Sequence, residues 1–410
     1  MAADVVTKSK DLRTGRSVWE ATRAPPVPHR RLTRDVEADV LVVGAGITGA
    51  MVADALSAEG FKVVVVDRRG PAKGSTTAST ALVQYEIDTP LIKLAPRIGK
   101  RDAVRAFRRS RLAVDAIAAR LGELGVRDIE RRDTLYLAGD LLDADGLTLE
   151  CEARRAAGFA CRMLSRRALR ENFGVRAACA IMGSGDLVID PRAAACALLR
   201  AACDAGAAIY APVDVTAIDA RKSRVLATCQ NGRSIRAKHL VFATGYEFPK
   251  PVPQRGHKII STWAIATAPQ PRRLWPSQCM IWEAADPYLY VRTTPDGRVI
   301  CGGEDEDFSD EEQRNALIGK KTRMLERKLK RLLPGIDSRA DFAWAGSFGQ
   351  SSTGLPTIGP IPRMPNCWAA LGYGGNGTTY SRIAADVIAG ALAGQPDVDA
   401  NLYGFRRAKR

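Results

Sequence analysis

The chain has 410 residues, 46% of them hydrophobic and 26% charged, which is the make-up of a folded globular protein and excludes a disordered or membrane-embedded one. One hydrophobic core rarely serves so long a chain, and two packed domains are expected. The net charge of +16 comes from 61 Lys and Arg against 45 Asp and Glu; the basic residues are dispersed in short groups (Arg108, Arg109 and Arg111; Arg131 and Arg132; Arg166 and Arg167; the terminal run from Arg406 to Arg410) beside no RNA-binding signature, so they read as solvated faces and nucleic acid is not an expected partner.

Residues 1–36 are predicted to form an extended arm, because Pro25, Pro26 and Pro28 block a helix. The arm lacks the apolar run of a signal peptide, and no later stretch reaches the roughly 18 apolar residues of a membrane span, so no membrane insertion and a cytoplasmic location are expected. Asp39 to Val43 reads as a buried strand, Gly44 to Gly49 as a tight turn, Ala50 to Glu59 as a helix and Lys62 to Val66 as a second buried strand. From Asp102 to Leu124, Val104, Phe107, Leu112, Ile117, Leu121 and Leu124 recur at helical spacing, and a shorter helix is expected after the turn at Asp143 to Gly146. Asp190-Pro191 starts a further helix that ends at Gly206, and strands follow at 207–210, 213–218, 225–230 and 240–244.

Short strands at 259–267, 280–283, 288–293 and 299–301, broken by Pro, Asp and Gly turns, predict an antiparallel sheet. Ser309 with Glu312 reads as a capping box opening one helix through Arg331, stopped by Pro334-Gly335. The nine cysteines form no CxxC pair and the three histidines no HExxH, so free thiols and no metal site are expected.

The chemistry begins at Gly44-Ala45-Gly46-Ile47-Thr48-Gly49, a GxGxxG between a strand and a helix. Its first glycine permits the turn, the second lets a pyrophosphate reach the backbone, and the third allows close packing, with the anion on the helix N-terminus. Asp67, at the end of the second strand, is placed to accept ribose hydroxyls. This fingerprint does not separate NAD from FAD.

The rest of the chain carries a resemblance. Gly74 to Ala81, Asp190-Pro191-Arg192, Val213-Asp214-Val215, Phe242 to Gly245, Trp344-Ala345-Gly346, Gly354 to Pro360 and Gly372 to Thr378 stand in the order of the D-amino-acid and glycine oxidase (DAO) superfamily of FAD-dependent oxidoreductases, over about residues 17 to 406. The resemblance implies an α/β fold of two domains, a discontinuous Rossmann-type FAD-binding part and a substrate part of antiparallel sheet plus helices. The expected division is 1–36 for the arm, 37–98, 189–256 and 339–410 for the FAD-binding part, and 99–188 and 257–338 for the substrate part. Its implied cofactor contacts are Gly44, Gly46, Ile47, Thr48, Gly49, Asp67 and Arg68; Ser75, Thr76, Thr80 and Ala81; Val213 and Asp214; Thr244, Gly245 and Gly346; and Gly372, Tyr373, Gly374, Gly375, Asn376, Gly377 and Thr378. The helix beginning near Thr378 would turn its positive end to the flavin pyrimidine and stabilise the reduced anion.

Ser17 to Thr22 ahead of Ala38-Asp39-Val40, and Tyr85 to Asp88, are most similar to the amine-oxidising branch that includes gamma-glutamylputrescine oxidoreductase and sarcosine oxidase. That branch implies hydride transfer from the carbon beside an amine or amino-acid nitrogen to flavin N5, with oxygen or another acceptor reoxidising the flavin. Tyr288, Tyr290 and Arg292 alternate along one strand and should share a face. Arg292 then either pairs with a substrate carboxylate or is a structural arginine. Trp263, Tyr85, Glu283 and His257 are further candidates, with core packing as the alternative.

Two departures from the family matter. No cysteine or histidine stands in Ser75 to Ala81 or Gly346 to Gly349, so the FAD is expected to be non-covalent. Sarcosine oxidases carry an oxygen-activating lysine in the strand leading to the domain's glycine pair, whereas Arg298 to Gly303 has none, which favours a dehydrogenase over a fast oxidase. The rival expectations are a hydroxy-acid or glycerol-phosphate-type flavin dehydrogenase, and an RNA-associated flavoprotein with a structural FAD.

Overall fold

The computed structural model describes residues 6–254 and 256–405. The first residues of the arm and the basic run from Arg406 to Arg410 lie outside them. The protein is a mixed α/β fold built on two sheets.

In the first sheet five parallel strands run in the order Cys367–Leu371, Ser234–Phe242, Val36–Val43, Val63–Val66 and Ala208–Tyr210, with Thr357–Pro360 antiparallel at the edge. The hairpin of Val215–Arg221 and Arg224–Cys229 branches from Ser234–Phe242. Both faces of this sheet are covered, and for that reason its central strands are unbroken apolar runs such as Val63–Val66. Val40, Val42, Val63 and Val65 pack under helices Ile47–Ala58, Pro191–Asp204 and Gly377–Leu392, while Leu41, Val64 and Val66 meet Val215, Val225 and Ala227 of the hairpin. Asp190 caps the helix Pro191–Asp204 by accepting from the N–H groups of Arg192 and Ala193.

The second sheet runs Arg13–Gly15, Ala340–Ser351, His257–Thr267, Val299–Glu306, Leu289–Thr293, Met280–Glu283, Glu130–Leu137, Cys179–Val188 and Leu82–Val83, with Cys161–Ser165 beside Cys179–Val188. It is antiparallel except where Met280–Glu283 runs parallel to Glu130–Leu137. The arm thus supplies an edge strand, and the segments 37–98 and 339–410 each lend a strand to this second sheet. The long helix Lys100–Glu123 packs against the helix Gly377–Leu392.

One expected helix is divided. Residues 309–331 form Glu311–Ala316 and Ile318–Leu332, and the cap is Asp310, not Ser309, accepting from the N–H of Gln313. The break has a local cause: the indole Nε1 of Trp263 donates to the Arg314 carbonyl, which also takes the Leu317 N–H three residues on, so the regular i to i+4 ladder stops there.

Candidate functional site

A long cavity opens at the C-terminal ends of the parallel strands, where Gly44 follows Val43, Asp67 follows Val66, Ala243 follows Phe242 and Tyr373 stands two residues beyond Leu371. Open parallel sheets bind ligands at this edge.

At one end the glycine turn is enforced by contact. Gly44 has φ +115°, and a Cβ there would lie 2.3 Å from the Ala243 carbonyl oxygen; one on Gly49 would lie 1.8 Å from that of Gly44. Only glycine satisfies both. The helix Ile47–Ala58 starts at Gly46 without a side-chain cap, and Ile47 donates to Thr76 Oγ1 at 2.9 Å. Gly46, Ile47 and Thr48 line the cavity; Gly49 sits behind them as the packing glycine.

The Asp67 carboxylate accepts from the N–H groups of Ala45, Arg69 and Gly70 at 2.7–2.8 Å, which orients it and leaves a lone pair on Oδ2 for a hydroxyl. Arg68 pairs with Asp214 at 2.9 Å, and Arg69 with Glu247 at 2.6 Å. Glu247 also meets Arg68 at 3.4 Å and accepts from the N–H of Lys10. Neither Glu247 nor Arg69 is marked by any motif. Val213, Asp214, Thr244 and Gly245 complete this end.

The loop Gly74 to Ala81 forms the middle of the wall, with Ser75, Thr76, Thr80 and Ala81 on the cavity. Its carbonyls are held from behind. Trp344 Nε1 donates to Ala78 O at 2.9 Å, Trp19 Nε1 to Ser79 O at 2.6 Å, and Arg292 Nη1 to Ala81 O and Ile189 O, each at 2.8 Å. Gly346 packs against the same loop, where a Cβ would come 3.2 Å from that of Ala78.

This network corrects the expected role of Arg292. Its side chain is on the Tyr290 face of the strand, but it is 1% exposed and spent on carbonyls and the Trp19 ring, so it is the structural arginine and not a carboxylate clamp. Burial without a carboxylate partner pulls its pKa down to about 9. Trp263 and Tyr85 are corrected likewise. Trp263 is buried with Lys321 Nζ 4.6 Å from its ring centre, and Tyr85 stacks on Phe159 beside the buried Glu86. Neither lines the cavity, nor do Glu283, which accepts the Leu289 N–H, and His257, whose Nε2 meets Thr357 Oγ1. Of these candidates Tyr290 does, with Tyr288 of the same alternation beside it.

At the far end Gly374, Gly375, Gly377, Thr378 and Tyr373 line the wall, and the uncapped N-terminus of the helix Gly377–Leu392 opens onto it. Gly372 lies behind, against His257, and Asn376 turns away to the carbonyls of Gln84 and Glu86. Facing the glycines are Tyr246, Trp282, Tyr288, Tyr290 and Phe348. The carboxylate of Asp88 accepts the Gly375 N–H at 2.7 Å, and burial lifts its pKa to about 6 in spite of that bond. Asp305, near the tyrosines, is lifted by burial to about 7.

The cavity suits a dinucleotide. Two helix N-termini face it, glycines open its walls, and the buried Ser75 Oγ and Gln84 Nε2 in its lining have no protein hydrogen-bond partner.

Two sheets around such a crevice fit a flavoprotein-type oxidoreductase, and similarity to known proteins gives the class. A family model for FAD dependent oxidoreductases (DAO) matches residues 39–391, and the chain belongs to that family. FAD is its cofactor. The chain is similar to a tRNA 5-methylaminomethyl-2-thiouridine biosynthesis bifunctional protein of Cupriavidus necator, 26% identical over 93% of this chain and 61% of that protein, so it spans less than two thirds of that relative. It is 24% identical to a glycine oxidase of Bacillus licheniformis, over 87% of this chain and 94% of the relative. Solved structures of similar fold include glycine oxidase from Geobacillus kaustophilus, at TM-score 0.73 and 21% identity over 92% of this chain and 99% of that one. Another is iminodiacetate oxidase from Chelativorans sp., at TM-score 0.73 and 21% identity over 89% of this chain and 98% of that one. Among the described residues no group of three His, Cys, Asp or Glu is placed to hold a metal, and no helix is long and apolar enough to cross a membrane.

Proposed function

We propose that this chain holds FAD non-covalently along the cavity and oxidises the C–N bond of an amine or amino acid. The reading rests on one observation: the cavity runs from a glycine turn and Asp67 at one helix N-terminus to a tyrosine-walled pocket at another. Gly44, Gly46 and Thr48 would take the pyrophosphate on the first helix. Asp67 would accept the ribose hydroxyls, with Arg68, Val213 and Asp214 around the adenine. Thr244 and Gly245 would close that end, the loop from Ser75 to Ala81 would line the middle, and Gly374, Gly375, Gly377 and Thr378 the pyrimidine side. Among the described lining residues there is no cysteine or histidine, which supports a cofactor held without a covalent bond.

The bound flavin supplies a two-electron sink for a hydride from the carbon beside the nitrogen. This chain's residues do the rest. Tyr246, Tyr288 and Tyr290 exclude water and fix the substrate over the ring, and the helix N-terminus at Gly377 favours negative charge on the pyrimidine. The relatives named for glycine and for iminodiacetate, both amino compounds, support this substrate class. In the division that fits this reading, the first sheet with its helices binds the cofactor and the second sheet walls the substrate.

The test is a visible spectrum before and after acid precipitation, followed by anaerobic bleaching near the flavin band with amines, amino acids and hydroxy acids. A yellow protein that releases free FAD and is bleached by an amino compound supports the reading; bleaching by hydroxy acids alone overturns it.

A further inference from the structure

We infer, resting on the amine-oxidising reading above, that the ring end of the cavity takes a cationic amine that carries no carboxylate, with Asp88 as its counter-charge. The charges of the wall carry this. Among the described lining residues the basic ones are Arg68 and Arg69, and both stand at the Asp67 end, paired to Asp214 and Glu247. Nearer the tyrosines, Arg292 is spent on backbone carbonyls, and Lys321 lies on the Trp263 ring and pairs with Glu306 at 2.6 Å. Gln84 and Thr262 line the cavity, but as neutral groups they do not balance a full negative charge.

Asp88 does the opposite of a carboxylate anchor. Oδ2 is occupied by the Gly375 N–H, which leaves Oδ1 to a ligand. Tyr246 and Tyr288 stand within electrostatic reach of Asp88, and Trp282 and Tyr290 line the same cavity; an ammonium over an aromatic face is attracted by the ring quadrupole, and a carboxylate there is repelled. Asp305 adds a second acid within electrostatic reach of Asp88 and Tyr288. A substrate carboxylate about 5 Å from the Asp88 charge meets a repulsion of about three-hundredfold in affinity at an effective dielectric of 20. Glycine and iminodiacetate, for which similar proteins are named, both carry carboxylates; the described wall here offers such a group no cation.

The test uses the FAD-loaded protein and two probes that are not oxidised, benzyltrimethylammonium and benzoate, titrated by calorimetry and by the flavin difference spectrum. Benzyltrimethylammonium is expected to bind at least tenfold more tightly than benzoate, and Asp88→Asn, which keeps an acceptor for the Gly375 N–H, to lose at least tenfold of that affinity with its FAD retained. Tighter binding of benzoate, binding of neither probe, or an unchanged Asp88→Asn overturns the inference. Anaerobic bleaching with phenethylamine and with phenylalanine separates it from the reading beneath it. Bleaching by phenylalanine alone leaves C–N oxidation standing and sinks the inference, whereas bleaching by neither, with a hydroxy acid active, sinks both.

Discussion

The indole of Trp19 donates to the Ser79 carbonyl at 2.6 Å, tying the N-terminal arm to the loop that walls the middle of the cavity. Trp344 and Arg292 hold the neighbouring carbonyls, so this loop faces its ligand with its backbone already fixed. Trp19→Phe removes one donor, leaves a partly buried carbonyl without it, and is expected to weaken FAD binding about fivefold, for a loss of about 1 kcal/mol. Fluorescence titration of the apoprotein with FAD checks this; unchanged affinity would show that the loop does not depend on the clasp.

Gly49→Ala is a harsher change. The new Cβ would fall 1.8 Å from the Gly44 carbonyl oxygen, so the turn and helix must separate. The variant is expected to fold and purify colourless, with FAD affinity reduced at least about a hundredfold, since an ångström-scale shift misplaces the anion site. A yellow Gly49→Ala protein would contradict placement of the pyrophosphate on this helix.

Arg154 lies between Glu86 and Glu150, all but fully buried, with Glu150 at 2.8 Å and its guanidinium over the Tyr136 ring that stacks on Trp282. Arg154→Met strands two carboxylates in a dry site and is expected to cost about 3–5 kcal/mol. Denaturant unfolding measures that loss. Because Trp282 lines the cavity, substrate affinity should fall as well.

The acids near the tyrosines make stability depend on pH. Asp88 and Asp305 are held above their ordinary value of 3.8, at about 6 and about 7, because burial disfavours the charged form. The folded apoprotein therefore binds these protons more tightly than the unfolded chain. Stability is greatest below about pH 4 for these two groups and declines as pH rises toward 7, by roughly 1.4 kcal/mol per pH unit for each proton released only by the unfolded chain. Melting curves of apoprotein, Asp88→Asn and Asp305→Asn between pH 5 and 8 check the sign: each variant should flatten the decline. For the holoprotein, binding of a cationic probe should weaken as pH falls through about 6, where Asp88 takes up its proton beside Asp305, Tyr246 and Tyr288.

What the residues announced and what they concealed follow from the range of the forces involved. The turn at Gly44 to Gly49 is a local necessity, set by φ and by close approach, and local necessities are visible in a row of letters. Strand alternation correctly placed Tyr290 and Arg292 on one face, yet what fills the space before Arg292 are the carbonyls of Ala81 and Ile189, more than a hundred residues away. Asp88 stood in the stretch Tyr85 to Asp88 that resembles the amine-oxidising branch, yet its role was not legible, because the group it holds, the Gly375 N–H, lies 287 positions along the chain. The strand Glu130–Leu137 was hidden by the charges of Arg131, Arg132 and Asp133, which break the apolar alternation before Thr134 restores it.

The cavity wall draws on Thr7 and Leu12 at one extreme of the chain and on Thr378 and Ser381 at the other. A polypeptide still emerging from the ribosome has no complete receptacle until Ser381 has been made and has folded back beside Thr7, so cofactor capture waits for segments more than 370 residues apart. Until then the folded chain lacks the stability that a ligand bound only to the folded state adds, so free FAD raises the resistance of the whole fold to unfolding.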